Sequence, residues 1–328
     1  MTGRKIILPR DEGIQKDPIE WWYWSGHAKG KDGNTYSFML ALFKARPLPY
    51  QKVPAVWFSH SLVSCVETGK FEPQIEFYFT GLDKGSFSGK QFKASVKGKF
   101  DVGKKEEGAY FIRTPRIALD LQTLKPAMLV GGTGDVDLKT STTSYYSWPR
   151  MSAQGKLRLD GEAEWIDVEG MVWMDHQWSP ISFGAEHVWR WFCFQLDDGT
   201  DAMCFEYGRK KRAAMVTLSD GHGGTTFSHK VEIVPLGESW ISPSTGAAYP
   251  LEWKITAADL DFEITCKATM KEQEMLFGLM NYWEGPLVAR ASLDGKEILG
   301  TGFMELVGFP RRRSLPAVAL EGLKRLLK

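Results

Sequence analysis

The sequence predicts an all-β protein in two domains, and three observations predict it. Short runs rich in β-branched and aromatic residues recur along the chain with Gly, Asp, Asn or Lys between them, the pattern of a barrel or sandwich rather than of βαβ units. No segment before residue 310 sustains an apolar stripe of helical period over three turns. At 328 residues the chain also exceeds the span that one hydrophobic core usually serves.

The elements follow in order. Residues 1–17 are charged and punctuated by Pro and Gly, an N-terminal arm. Residues 20–27 form a strand candidate, Lys29-Gly-Lys-Asp-Gly-Asn34 is turn chemistry, and residues 35–44 resume as a strand, so the pair reads as a hairpin closed by Pro47 and Pro49. Further short runs lie at 53–66, 74–80, 91–100 and 109–112. A polar-aromatic segment at 142–150 leads to 155–161, a short hairpin with clean alternation, and then to the apolar stretch 171–178. Ser179-Pro-Ile-Ser-Phe-Gly184 breaks the pattern and divides a first domain, 18–182, from a second, 183–310. The second repeats the same pattern at 189–196, 202–207, 213–218, 225–234, 251–255, 260–267, 287–292 and 298–307. The tail, 311–328, carries six basic residues and one acid. Its apolar residues (Leu315, Val318, Ala319, Leu323) share a helical face, so it reads as a basic amphipathic helix, able to dock on its own barrel or to lie on an anionic membrane surface.

Composition excludes several function classes. Hydrophobic content of 43% and charged content of 25% are those of a soluble globular protein. Thirteen tryptophans depart from the average, and such side chains bury large areas, favour strands and can wall wide apolar cavities. A formal charge of +1, with no basic stripe interleaved with stacking residues in the body, argues against nucleic acid as a partner. No window has the apolar length of a membrane-spanning helix, and the basic N-terminus lacks a signal-peptide core, which reads as cytoplasmic with the tail as a route to peripheral membrane contact through Arg311–Lys328. Cys65, Cys193, Cys204 and Cys266 show no CxxC spacing. With Asp198-Gly199 as a two-residue hairpin turn, Cys193 would face Cys204 and Trp191 would face Glu206, and buried thiols are expected rather than a disulfide. No G-x-S-x-G elbow, HExxH or P-loop supports a hydrolase, Gly131-Gly-Thr-Gly134 is only a glycine-rich turn, and His222 with His229 lacks an acid cluster for a metal.

The chemistry concentrates in Met171-Val-Trp-Met-Asp-His-Gln-Trp178. Alternation puts Trp173, Asp175 and Gln177 on one face and Met174, His176 and Trp178 on the other. Asp175 and His176 can both move protons, and buried ionisable groups need a partner or a role. Read structurally, Asp175 would accept backbone hydrogen bonds and His176 would be a satisfied core residue.

Glu20-Trp-Trp-Tyr with Gly26-His27, Tyr145-Tyr-Ser-Trp-Pro-Arg150, Trp173-Met-Asp-His-Gln-Trp178, Phe194-Gln-Leu-Asp-Asp-Gly199, Tyr282-Trp-Glu-Gly285 and Gly300-Thr-Gly-Phe-Met-Glu-Leu306 stand in the order found in a known family. Over about residues 18–310 the chain resembles the carotenoid 1,2-hydratase and AttH-like group of lipocalin-like proteins. The resemblance implies two packed lipocalin-like antiparallel β-barrels with an apolar ligand cavity. It spans hydratases of isoprenoid double bonds, two-barrel proteins that guide pericyclic ring closure, and members without an established activity. Where members commonly place glycine after the central Trp, this chain has Ser179-Pro180.

Adding water to an isolated alkene requires a proton donor strong enough to reach carbon and surroundings that tolerate a tertiary cation. A carboxylic acid in an apolar pocket can stay protonated near neutral pH, and each aromatic face stabilises a cation by roughly 0.5–2 kcal/mol. The expected function is therefore a cofactor-independent hydratase or isomerase of a hydrophobic polyene, with Asp175 as general acid and His176 or His27 handling the water. Trp22, Tyr23, Trp173, Gln177, Trp178, Trp191, Glu206, Tyr282 and Trp283 are the expected substrate contacts, and Glu284 is a further carboxylate, read first as a strand-end cap. A non-catalytic carrier of lipophilic small molecules and a pericyclase-type cyclisation remain the alternatives.

Overall fold

The computed structural model describes residues 5–46, 55–79, 85–88, 92–139, 141–159, 164–180, 188–209, 212–277 and 281–309. Within them the chain is all-β: two curled antiparallel sheets, with three short 3₁₀ turns as the described helical elements. The amphipathic tail expected at 311–328 lies outside the described residues, among which no helix is long and apolar enough to cross a membrane.

Both sheets are built alike. The first runs Lys70–Phe79, Val56–Cys65, Thr35–Ala45, Ile19–Gly30, Ile166–Ser179, Thr142–Leu157, Ile117–Thr123, Ala109–Arg113, Phe100–Glu106, Lys93–Val96, Gly85–Ser88. The second runs Thr225–Ser228, Ala213–Ser219, Asp201–Tyr207, Trp189–Leu196, Lys296–Val307, Tyr282–Leu293, Phe262–Ala268, Ala248–Ala257, Glu232–Ile241. In each, neighbours in sequence pair and the first long strand pairs with the last, so each meander closes on itself except at one seam. Two details differ from the sequence reading. Of the expected 155–161 hairpin, residues 155–157 end one long strand, Thr142–Leu157, that pairs with Ile166–Ser179, while 160–161 lie outside the described residues; and 225–234 divides into Thr225–Ser228 and Glu232–Ile241. The described part of the N-terminal arm packs on the first sheet. Ile6, Asp11 and Glu12 are buried against the first sheet, where Glu12 accepts from Tyr110 at 3.1 Å and pairs with Lys104 at 2.8 Å.

Burial on both faces explains the nearly continuous apolar runs at 20–27 and 171–178. Trp22, Trp24, Leu40, Val172 and Met174 point into the first sheet, whose interior also holds Trp57 and Phe92. Phe192, Phe194, Cys204, Trp253 and Trp283 fill the second. The alternate positions (Tyr23, Met39, Ala41, Trp173 against Trp191, Cys193, Met203, Phe303) form a third core between the sheets. Strands buried on both faces cannot show a polar face, and both interiors are packed with side chains. The sheets are joined by polar contacts as well. Asp201 of the second takes Lys125 at 2.6 Å and Arg150 at 2.7 Å from the first. Gln195 donates to the carbonyls of Pro149 at 2.8 Å and Val172 at 3.1 Å, and His27 Nε2 meets the Gly302 carbonyl at 2.8 Å. Glycine is required at 302, because a Cβ there would lie 1.8 Å from the Cys193 carbonyl oxygen.

The register of the 189–207 hairpin corrects the sequence reading by one residue. Cys193 pairs with Met203, Phe192 with Cys204 and Arg190 with Glu206. The loop spans three residues rather than two, with Gly199 at φ +88° and its N–H on the Leu196 carbonyl at 3.1 Å, a bulged turn. A slip of one residue exchanges faces. Cys193 therefore faces the first sheet and Cys204 faces inward, and all four cysteines are free, buried thiols.

Candidate active site

The shared face of the sheets encloses a cavity of about 120 Å³. Its rim is half-buried and includes Trp21, Phe43, Leu138, Ser141, Gln177 and Trp189. Its floor joins Tyr23, Tyr145 and Asp175 of the first sheet to Trp191, Tyr282, Glu284 and Glu305 of the second. Neither barrel interior holds this space. The two sheets create it between them.

Asp175 is 3% exposed and fully engaged. Ser147 Oγ and Trp173 Nε1 each donate to Oδ1 at 2.6 Å, and Tyr145 Oη donates to Oδ2 at 2.6 Å. Strand pairing dictates this cradle. Ser147 and Tyr23 are the cross-strand partners of Asp175 on either side, and Trp173 precedes it by one full pleat. Trp191 Nε1 reaches across from the second sheet to donate to Tyr145 Oη at 2.9 Å, so one chain of donors links both sheets to the carboxylate. Burial pushes Asp175 up to about 6, and the three donors oppose that rise. Burial likewise lifts the Tyr145 and Tyr23 phenols well above their ordinary value, so both remain neutral donors.

Two glutamates face Asp175. Glu284 Oε1 accepts from Tyr23 Oη at 2.8 Å, while Oε2 is buried without a hydrogen-bond partner. Burial, then the charge of Glu305, drives Glu284 well above the usual glutamate range. Glu305, its direct cross-strand partner, accepts from Trp189 Nε1 at 2.7 Å and is pushed up to about 7 by desolvation, with Asp175 adding to the rise. Nearby, His60 Nδ1 meets Tyr282 Oη at 2.6 Å, and burial takes its imidazole down to about 3, leaving it neutral.

The expected site residues divide. Asp175, Tyr23, Gln177, Trp191 and Tyr282 line the cavity, and Trp173 serves it through its bond to Asp175. His176, Trp22, Trp178, Trp283 and Glu206 do not line it. His176 points to the opposite face from Asp175, stacked on Trp22 at 4.6 Å, with Nε2 on Glu20 at 2.9 Å. Glu20 in turn accepts from the Gln15 N–H at 2.8 Å and from Lys44, whose amine is buried. Burial holds the His176 imidazole below its ordinary value against the pull of Glu20. Trp178 packs with Ile6 and Tyr146, Trp283 lies inside the second sheet, and Glu206 pairs with Arg190 and Arg212. Tyr145, Ser147 and Glu305 escaped selection in the sequence, although the alternation of Tyr145 and Ser147 is a signal that both share one face. Glu284 caps no strand end, and it stands on the floor of the cavity. Ser179 sits at the cavity wall.

Three comparisons match this architecture. A protein of Emericella nidulans, dehydratase asqC, is 26% identical over 209 residues, which are 59% of this chain and 59% of that protein, so the match covers under two thirds of its length. The structure of an AttH-type protein from Nitrosomonas europaea superposes with a TM-score of 0.82 at 24% identity, covering 94% of this chain and 98% of that one. Kievitone hydratase from Nectria haematococca superposes with a TM-score of 0.74 at 15% identity, over 92% and 93% of the two chains. Identities this low make the structural likeness one of fold. The family model described as AttH-like matches residues 1–309, nearly the whole sequence, and the chain belongs to the AttH-like family.

Proposed function

We propose that the cavity between the sheets adds water to, or removes it from, a hydrophobic isoprenoid- or polyene-type small molecule, without a cofactor. The observation that carries this reading is the Asp175 cradle: a buried carboxylate, held by three side-chain donors, opening onto an aromatic-walled cavity. A cavity that only stored lipophiles would gain nothing from two buried carboxyl groups, Asp175 and Glu284, each of which costs desolvation. The names of the dehydratase from Emericella nidulans and of kievitone hydratase support water addition or removal as the reaction class.

The residues can divide the work as follows. A cavity near 120 Å³ takes the reacting end of a substrate, since roughly 150 Å³ holds a benzene ring, and the remainder lies along Trp21, Phe43 and Trp189 at the rim. Trp191, Tyr23 and Tyr145 line the cavity with aromatic rings, whose faces can stabilise positive charge at carbon. With its donors in place Asp175 is ionised above about pH 6, which suits it to take the proton of the attacking water rather than to protonate carbon. Run backwards, the same group protonates a departing hydroxyl.

The experiment is to incubate purified protein with terminal isoprenoid alkenes and the matching tertiary alcohols in oxygen-labelled water and to read the products by mass spectrometry. The expected product from the alkene carries one labelled oxygen, and the expected product from the alcohol is the alkene, lighter by one water. Unchanged mass with altered retention would replace this reading by isomerisation or ring closure. Substrate retained on the protein but never converted would replace it by a binding protein.

A further inference from the structure

If Asp175 works as a carboxylate, the proton that reaches carbon must come from another group, and this inference rests on the water-addition reading above. We propose that Glu284 is that proton donor, presenting its unpartnered Oε2 to the substrate while Tyr23 fixes Oε1. Four observations carry it. Glu284 lines the cavity and is 0% exposed. Tyr23, the residue that holds its Oε1, is the direct cross-strand partner of Asp175, so the two carboxyl groups flank one phenol. Oε2 has no donor directed at it, the arrangement expected of an oxygen that carries its own proton. Finally, no lysine or arginine stands among the described residues lining the cavity, whereas Glu305 stands directly opposite on the next strand.

The groups facing Glu284 are Tyr23, Tyr282, Cys193, Glu305 and Asp175. The phenols and the thiol are neutral, because burial raises all three well above their ordinary values. What remains is two carboxyl groups and no cation, so ionising Glu284 would place like charges close together in a dry site. Burial is the larger cause that keeps the proton on Glu284, and Glu305 is a positioning residue whose charge, where it is ionised, adds to it.

The step balances. The Glu284 O–H bond breaks, its proton goes to the terminal alkene carbon, and the π pair forms the new C–H bond. Water forms a C–O bond to the adjacent cationic carbon, and its proton passes to Asp175. Glu284 is left as carboxylate and Asp175 as acid, and exchange with solvent water restores both.

The test uses the full chain in two measurements. In wild type, infrared spectroscopy at pH 8 should show the carbonyl stretch of a protonated carboxylic acid, retained in Asp175→Asn and missing in Glu284→Gln. With a converted substrate, Glu284→Gln should lose at least about 100-fold in turnover, in line with general acid catalysis, while its melting temperature holds or rises. The isosteric amide keeps the Tyr23 bond, so the melting temperature reports whether folding has suffered. Absence of the band, or full turnover in Glu284→Gln beside an inactive Asp175→Asn, overturns the donor role alone. A wild type that converts nothing overturns the reaction and the donor role together.

Discussion

Asp175→Asn is expected to lower turnover by about 10²–10⁴-fold, the range of a lost general acid–base group. The amide matches the carboxylate in shape but cannot take a proton from water. It also turns one acceptor into a donor where Ser147, Trp173 and Tyr145 all donate, so one of those bonds is lost. Leaving a buried donor unsatisfied costs about 1–3 kcal/mol, so a lower unfolding midpoint accompanies the loss without accounting for it. The pH profile separates the two effects. Asp175 must be ionised to accept a proton, so the wild-type rate rises with pH through about 6 and levels above it. Ser147→Ala removes a donor to the charged form and moves that limb to higher pH. Stability runs the other way. A carboxyl whose folded value is raised binds its proton more tightly when folded, so its stabilising contribution is present below the unfolded value, near pH 4, and is lost as pH rises through about 6. A profile flat across that window, or an Asp175→Asn variant with full turnover, would remove Asp175 from the chemistry.

The largest loss of stability is expected from Asp201→Asn. Asp201 is fully buried, with Lys125 on Oδ2 at 2.6 Å and Arg150 on Oδ1 at 2.7 Å, both from the other sheet. Deleting that charge leaves two largely buried cations uncompensated, which costs about 3–5 kcal/mol. The carbonyls that Lys125 and Arg150 also reach, those of Gly199 and Leu196, soften the loss but cannot supply the charge. Denaturant unfolding measures it, and a change within about 0.5 kcal/mol would show that apolar packing alone joins the sheets. Turnover should fall as well, because Asp175 and Tyr145 come from one sheet while Trp191, Glu284 and Glu305 come from the other.

Much of this was legible in the sequence, for physical reasons that can be named. Period-two alternation in 171–178 separated Asp175 from His176, and the structure keeps them on opposite faces. Short strands between turn residues gave the all-β class. Partnerships made over long separations were not legible. His176 drew attention as a neighbour of Asp175 in sequence, yet its partner is Glu20, which Lys44 completes. Trp22 and Trp283 belong to barrel interiors, and nothing in an apolar run buried on both faces says which face meets the other sheet. Glu206 was misplaced by one residue of register, since Asp-Asp-Gly supports a three-residue bulged loop as readily as a two-residue turn. Glu305 sits in a run of otherwise apolar and glycine positions, and only its pairing with Glu284 reveals it as part of the site.

The most direct test of the central claim, that the reaction takes place between the two sheets, is a crystal structure of Asp175→Asn with an alkene or alcohol that the wild type converts. The reacting carbons should lie in the cavity between residue 175 and Glu284, with the rest of the molecule against Trp21, Phe43 and Trp189. Density for the ligand inside either sheet, among Trp22 and Trp57 or among Trp253 and Trp283, would contradict it.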